Sequence, residues 1–289
     1  MNIGPASTFD RDRPASPAAA KLSSRKFRFA GCFLCATAFA LIAPLTNAAE
    51  PLISDNFNAA DAGTGAQNFK DHYQLQLSMG NQQKYGFHAG VGKTGGVLLP
   101  TGREVYAINK QSVGAWPDAK KGFLVSLDVK LQNTQPKHED GTFSILFFLG
   151  FTTGKEVDLR SGDSEALRMS IIWNEKPQDP GYRIFLGPPD TFLGKIAFDE
   201  LPDGHWLRWV LRFEFDRRGK EVNLQASVYD LGADGTAEPS DAIKSFSQPD
   251  IYVPYVVRNA PQLYFGVQGR SRDAIGVFSY DNLEVSHLR

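Results

Sequence analysis

Arg168, Ser170, Ile172 and Asn174 alternate with Leu167, Met169, Ile171 and Trp173. Successive side chains of an extended chain point to opposite faces, so Arg168 and Asn174 share the face turned away from the apolar row. Arg183 stands opposite Ile184, and Tyr264, Gln268 and Arg270 stand opposite Leu263, Phe265 and Val267. If these three segments are strands of one sheet, they line a groove with arginine, asparagine, glutamine and tyrosine. Forked guanidinium donors suit carboxylate and sulfate groups, and an aromatic ring suits the apolar face of a sugar. An ordinary solvated sheet face is the rival reading, because antiparallel sheets commonly keep one polar side.

Other chemical signals are weaker. Ala89-Gly90-Val91-Gly92-Lys93-Thr94 ends like a phosphate-binding loop, but Phe87 stands where the pattern needs its first glycine. Gly95-Gly96 and the strand-like Val97-Leu98-Leu99 follow, where phosphate binding needs the amides of a helix start. Asp230 to Thr236 resembles a calcium loop, yet Gly232 takes the third position, where an oxygen side chain belongs. An Asp-Gly turn explains that segment. Cleavage of a glycosidic bond by hydrolysis needs two carboxylates flanking it, and no close-spaced set of two glutamates and an aspartate occurs. Glu214 and Asp216 read as sharing a strand face without a third member. There is no Gly-x-Ser-x-Gly elbow and no His-Glu-x-x-His; His72, His88, His138, His205 and His287 are scattered.

The elements that must position these groups are strands. Phe123 to Leu131, Leu207 to Phe215 and Val222 to Val228 alternate apolar and polar residues with period two. Thr142 to Phe151 is apolar on both faces, which predicts a strand covered on both sides. Arg217-Arg218-Gly219-Lys220 reads as a tight hairpin turn, and Pro177 to Gly181 as the connection from Leu167–Trp173 to Tyr182–Leu186. Helical patterning is confined to short stretches near Glu238 to Phe246. Many short strands with Gly/Pro turns and no crossover helices predict a sandwich or barrel.

Residues 1–48 read as an export signal. Lys21, Arg25, Lys26 and Arg28 precede an apolar run from Phe29 to Leu45, and the small residues Thr46-Asn47-Ala48-Ala49 follow. The run is broken by Gly31 and Pro44 and is short of the roughly 20 residues of a membrane span. Cleavage after Ala48 leaves residues 49–289 as one domain with no membrane span, extracellular or periplasmic. Of 31 Lys+Arg and 32 Asp+Glu, six basic and two acidic residues precede Ala49, leaving 25 against 30 and a formal charge of −5. With that charge and no basic run, nucleic acid is not an expected partner. Both cysteines, Cys32 and Cys35, lie in the signal, so the remainder has no disulfide, thiolate metal site or cysteine nucleophile.

The two ends carry a resemblance. The chain past the signal begins Leu52-Ile53-Ser54-Asp55-Asn56-Phe57 and closes Phe278-Ser279-Tyr280-Asp281-Asn282-Leu283-Glu284-Val285. Gly204-His205-Trp206-Leu207-Arg208-Trp209 introduces a long hairpin that ends in Asp230-Leu231-Gly232. These segments resemble the concanavalin A-like lectin/glucanase superfamily, including its laminin-G-like jelly rolls, over residues 49–289. The resemblance implies an all-β, two-sheet antiparallel jelly-roll sandwich whose first and last strands pair. It also implies a structural calcium with Asp281 as ligand; the alternative is that Asp281 caps a turn or faces water. No other cofactor is expected. The leading expectation is an exported, non-catalytic glycan-binding module for acidic glycans, with Arg168, Asn174, Arg183, Tyr264, Gln268 and Arg270 as binding residues. The alternatives are a polysaccharide-cleaving hydrolase or lyase, and a structural or adhesive surface protein.

Overall fold

Alternating apolar residues in the segments above become the facing walls of two sheets. The structure is a computed structural model that describes residues 50–57, 71–79, 87–89, 96–98, 104–116, 121–131, 145–155, 159, 165–174, 181–187, 191–197, 200–202, 204–271 and 278–289. The export segment, residues 1–48, and the connection 175–180 lie outside them. The strands are β1 (Ile53–Asp55), β2 (Tyr73–Met79), β3 (Phe87–Ala89), β4 (Gly96–Leu98), β5 (Glu104–Gly114), β6 (Gly122–Leu131), β7 (Ile145–Thr152) and β8 (Ala166–Asn174). They continue with β9 (Gly181–Gly187), β10 (Thr191–Ile196), β11 (Trp206–Phe215), β12 (Glu221–Asp230), β13 (Lys244–Tyr252), β14 (Leu263–Ser271) and β15 (Phe278–His287). A single turn of helix, α1 (Tyr255–Arg258), links β13 to β14.

Among the described residues one sheet has eight strands, ordered β13-β12-β11-β6-β15-β4-β3 with β1 also on β15, and the other has seven, ordered β10-β9-β8-β7-β14-β5-β2. Every pairing is antiparallel, which makes a two-sheet jelly-roll sandwich. The expected closure is present, with Ile53, Ser54 and Asp55 opposite Val285, Glu284 and Leu283. Among the described residues no helix is long and apolar enough to cross a membrane.

Trp209, Leu211, Phe213, Val125 and Leu127 of one sheet face Phe265 and Val267 of the other, and none exceeds 2% exposure. Phe151 of β7 bridges the sheets edge-on, its ring 5.4 Å from Phe213 and 5.5 Å from Phe265. The β3–β4 hairpin puts a strand after the Gly-rich segment where a phosphate loop needs a helix; Gly90 to Gly95 lie outside the described residues.

Two expectations need correction. No helix forms near Glu238 to Phe246: residues 244–252 make β13, where Phe246 pairs with Ala226 of β12. Backbone pairing with a neighbouring strand overrides weak local helical patterning. Asp216 does not extend the β11 face that carries Glu214. β11 stops at Phe215, and Asp216 anchors the hairpin by accepting from the amides of Lys220 (2.6 Å) and Glu221 (3.0 Å).

A second tie joins the sheets near the closure. The Tyr73 hydroxyl of β2 donates to Asp55 Oδ2 (2.8 Å), while Asp55 Oδ1 accepts from the Phe57 amide (2.8 Å). Burial, and then the neighbouring Asp55 carboxylate, push the Tyr73 phenol well above the ordinary 10.0; burial alone does so for Tyr280. A raised acid pKa means the folded state holds protons that the unfolded chain releases. Their contribution is complete below pH 10.0 and is lost as pH rises beyond it. Spectroscopic titration should therefore show these two tyrosines ionising only together with alkaline unfolding followed by circular dichroism. Ionisation of all nine tyrosines at ordinary pH in a folded protein would contradict it.

Candidate functional site

The register of the seven-stranded sheet settles which groups share its outer face. One row across the strands runs Glu104, Arg270, Leu146, Ile172, Arg183, Lys195. The next runs Tyr106, Gln268, Phe148, Ser170, Phe185, Phe192, and a third Ile108, Gly266, Gly150, Arg168, Gly187. Tyr264 occupies the fourth, beside Thr152, and Asn174 lies at the end of β8 opposite Gly181. All six residues expected to bind therefore belong to one face of one sheet. Strand spacing near 4.8 Å puts Arg183 and Arg270, three strands apart, about 14 Å from each other along the backbone.

That face is not the open polar surface the alternation suggested. Arg168 is 6% exposed, Ser170 2% and Gln268 0%. Leu159, from the segment between β7 and β8, packs on it against Ile108, Phe148 and Ala166, with Tyr264 alongside. The Arg168 guanidinium lies over the Phe148 ring, 5.6 Å from its centre. The Tyr264 hydroxyl donates to Gln262 Oε1 (2.7 Å), and Lys155 Nζ sits 5.3 Å from the Tyr264 ring. Glycines set the depth of this layer. A Cβ on Gly150 would fall 2.2 Å from the Leu167 carbonyl oxygen, and one on Gly266 2.2 Å from Ile108 Cδ1. Alanine at either position would push β8 or Ile108 away from the sheet.

The Gln268 amide and the Ser170 hydroxyl are buried with no hydrogen-bond partner among the described residues. Such groups normally find one, since an unsatisfied buried amide or hydroxyl costs about 1–3 kcal/mol. They stand two strands apart with Phe148 between them. Gln268 was legible by alternation. Ser170 was legible as a face position but carried no chemical signal of its own. Phe148 and Ile108 were hidden among apolar residues, though the two-sided apolarity of Thr142 to Phe151 did announce a covered strand.

On the outer face of the eight-stranded sheet, Asp281 is fully buried opposite Asp128, also fully buried. Arg208 grips Asp128 in a fork, Nε to Oδ1 at 2.6 Å and Nη2 to Oδ2 at 2.8 Å, and Asn282 Nδ2 donates to Asp128 Oδ2 at 2.8 Å. This fork raises the Arg208 pKa above its ordinary value. Asp281 Oδ1 accepts the amide of Asn282 (2.8 Å), which takes a left-handed φ of 49° at the strand's bulge. Calcium takes six to eight oxygen ligands, backbone carbonyls and water among them. Among the described residues no three His, Cys, Asp or Glu gather here, and Asp128 is held by Arg208, so a cation at Asp281 would draw its other ligands from backbone carbonyls and water. The Asp230 to Thr236 segment is a pair of turns. Asp230 Oδ1 takes the Gly232 amide (2.7 Å) and meets His205 Nδ1 (2.9 Å), and Asp234 Oδ1 takes the amide (3.0 Å) and hydroxyl (2.8 Å) of Thr236.

Several solved lectin structures are similar to this chain. The basic winged bean lectin with Tn-antigen is 13% identical, with 81% of this chain and 96% of that one covered and a TM-score of 0.48. Lectin II from Ulex europaeus is 14% identical, covering 75% and 98%, with a TM-score of 0.43. The carbohydrate recognition domain of Emp46p in metal-free form is 8% identical, covering 82% and 97%, with a TM-score of 0.45. The likeness is one of fold. No family model matches the chain, and no curated protein matches it.

Proposed function

We propose that the protein is an exported, non-catalytic carbohydrate-binding module that holds an acidic glycan on the outer face of its seven-stranded sheet. The observation that carries this reading is the convergence of Arg168, Arg183, Arg270, Asn174, Gln268 and Tyr264 on one face. Leu159 seals the Tyr264 side of the face, so a polymer approaches from the row of Arg270, Arg183 and Lys195. There, guanidinium groups pair with uronate or sulfate and Asn174 with hydroxyls.

A glycan array on the secreted protein tests this. Binding should favour uronic or sulfated glycans over neutral ones and weaken with salt, since exposed charge is screened within about 10 Å at 0.1 M. Arg183→Ala/Arg270→Ala should lower affinity at least about tenfold, as expected for lost charge-assisted hydrogen bonds, and leave the melting temperature nearly unchanged. Equal affinity of the double variant would refute the placement. Cleavage is read in the same samples, by reducing ends and by absorbance of unsaturated products. Export predicts a mature N-terminus at Ala49, read by N-terminal sequencing. The structural or adhesive reading draws on the packing of Leu159 over the face; it takes over if no glycan binds.

A further inference from the structure

Cations gather at the end of the sandwich where the β11–β12 turn meets α1. Gly219 takes a left-handed φ of 62°, and its amide donates to the Asp216 carbonyl (3.0 Å). Asp216 spends its carboxylate on the turn's own amides. The turn is thus fixed from within, and Arg217, Arg218 and Lys220 project as exposed side chains. Exposed Lys121 lies beside it, because its carbonyl accepts from the Phe215 amide (2.9 Å).

The Lys220 carbonyl accepts from the Val253 amide (3.0 Å), which docks the turn on the segment leading into α1. Val253 and Val257 anchor that segment in the core at 0% exposure, while Tyr252 and Tyr255 stand 50% and 66% exposed. Between the two rings lies Arg258, its guanidinium carbon 5.5 Å from one ring centre and 5.7 Å from the other. Its Nε donates to the Val253 carbonyl (3.0 Å). Lys121, Arg217, Arg218, Lys220 and Arg258 form no ion pair among the described residues. Among the described residues the nearby carboxylates are Asp216, which accepts the turn's amides and also attracts Arg218, and Glu221.

We propose that this end is a second binding site, for a sulfated or uronic polysaccharide chain. Five cations on the hairpin, on α1 and at Lys121 beside them outnumber the two carboxylates Asp216 and Glu221, and an anionic partner would lower the repulsion that this local excess leaves. A polysaccharide supplies it with anionic groups at intervals, joined by C–H faces that lie against exposed tyrosine rings. The arginine between the rings is already oriented, so little side-chain entropy is lost on binding. The site is independent of the sheet face and stands or falls separately.

The test uses labelled heparin and fluorescence anisotropy on a protein that already carries Arg183→Ala/Arg270→Ala, so that the sheet face does not contribute. Saturable binding is expected at about 0.05 M salt and a large loss at about 0.3 M, where the screening length falls to about 6 Å. Adding Arg217→Ala/Arg218→Ala/Lys220→Ala should weaken binding about tenfold or more. Tyr252→Ala/Tyr255→Ala should weaken it several-fold. The lysine variant Arg217→Lys/Arg218→Lys should keep most of it, with all variants melting as the parent does. Absence of saturable heparin binding, or equal affinity of the triple variant, overturns the proposal. So does competition by a single-stranded DNA of equal charge, or by anionic vesicles, as effective as unlabelled heparin.

Discussion

Phe213→Ala should lower the stability of the protein by about 3–5 kcal/mol. Phe213 is fully buried, pairs in register with Phe123 and Leu224 on either side, and meets Phe151 of the opposite sheet edge-on. Truncation therefore opens a cavity between the sheets that neither wall closes alone, because both are held by continuous ladders. In urea unfolding the midpoint should fall while the slope stays constant, since the surface exposed on unfolding barely changes. Phe213→Leu, which keeps most of the volume, should cost much less. A Phe213→Ala protein as stable as the parent would mean that β11 turns its other face inward.

The second large effect is expected at Arg208. Its guanidinium is the forked partner of Asp128, a carboxylate with no exposed surface, and Asp281 lies directly across the strand pair. Arg208→Ala would leave Asp128 buried with only the Asn282 side-chain amide as the remaining hydrogen-bond donor shown. Removing one partner of a buried pair costs about 3–5 kcal/mol, mostly the penalty of the abandoned charge. Asp128→Asn should then recover a substantial part of the loss in the Arg208→Ala background, because it removes that charge. Thermal or urea unfolding of the two single variants and the double variant measures this coupling. If the double variant loses the sum of the two single losses, the pair is not coupled and the fork is not a structural tie.

The glycine pair under the candidate site makes a related point about how the sheet face is built. Gly150→Ala would drive a Cβ into the backbone of β8 at Leu167 and Arg168. The side chain of a charged residue proposed to bind a ligand is therefore placed by a neighbouring residue with no side chain at all. Alternation along β8 gives Arg168 its face, but its depth comes from the strand beside it.

What the sequence determined by itself is what depends on short-range periodicity. The rows Leu207–Phe215 and Phe123–Leu131 read as strand faces because a pleated chain alternates sides regardless of its surroundings. Turn chemistry was equally local: the Arg217–Lys220 hairpin needs only a glycine in left-handed conformation and an aspartate that can bond forward to free amides. Even the covered strand around Phe148 was announced, since residues apolar on both faces cannot leave one side in water.

Tertiary structure alone decided the rest. Glu238 to Phe246 was ambiguous locally, and the free ladder of β12 resolved it in favour of β13. The six candidate binding residues come from three separated segments, so only register between β8, β9 and β14 through β7 could place them on one face. Asp281 could not reveal that its cross-strand neighbour would be Asp128, or that Arg208 would already hold that carboxylate, because the three lie on different strands. Lys121, Tyr252 and Arg258 are likewise unremarkable in sequence and become neighbours of the Arg217–Lys220 turn only through the backbone bonds of Lys121 and Lys220. Alternation fixes the side of a strand on which a residue lies, whereas burial, partner and charge environment are properties of pairs of strands distant in the chain.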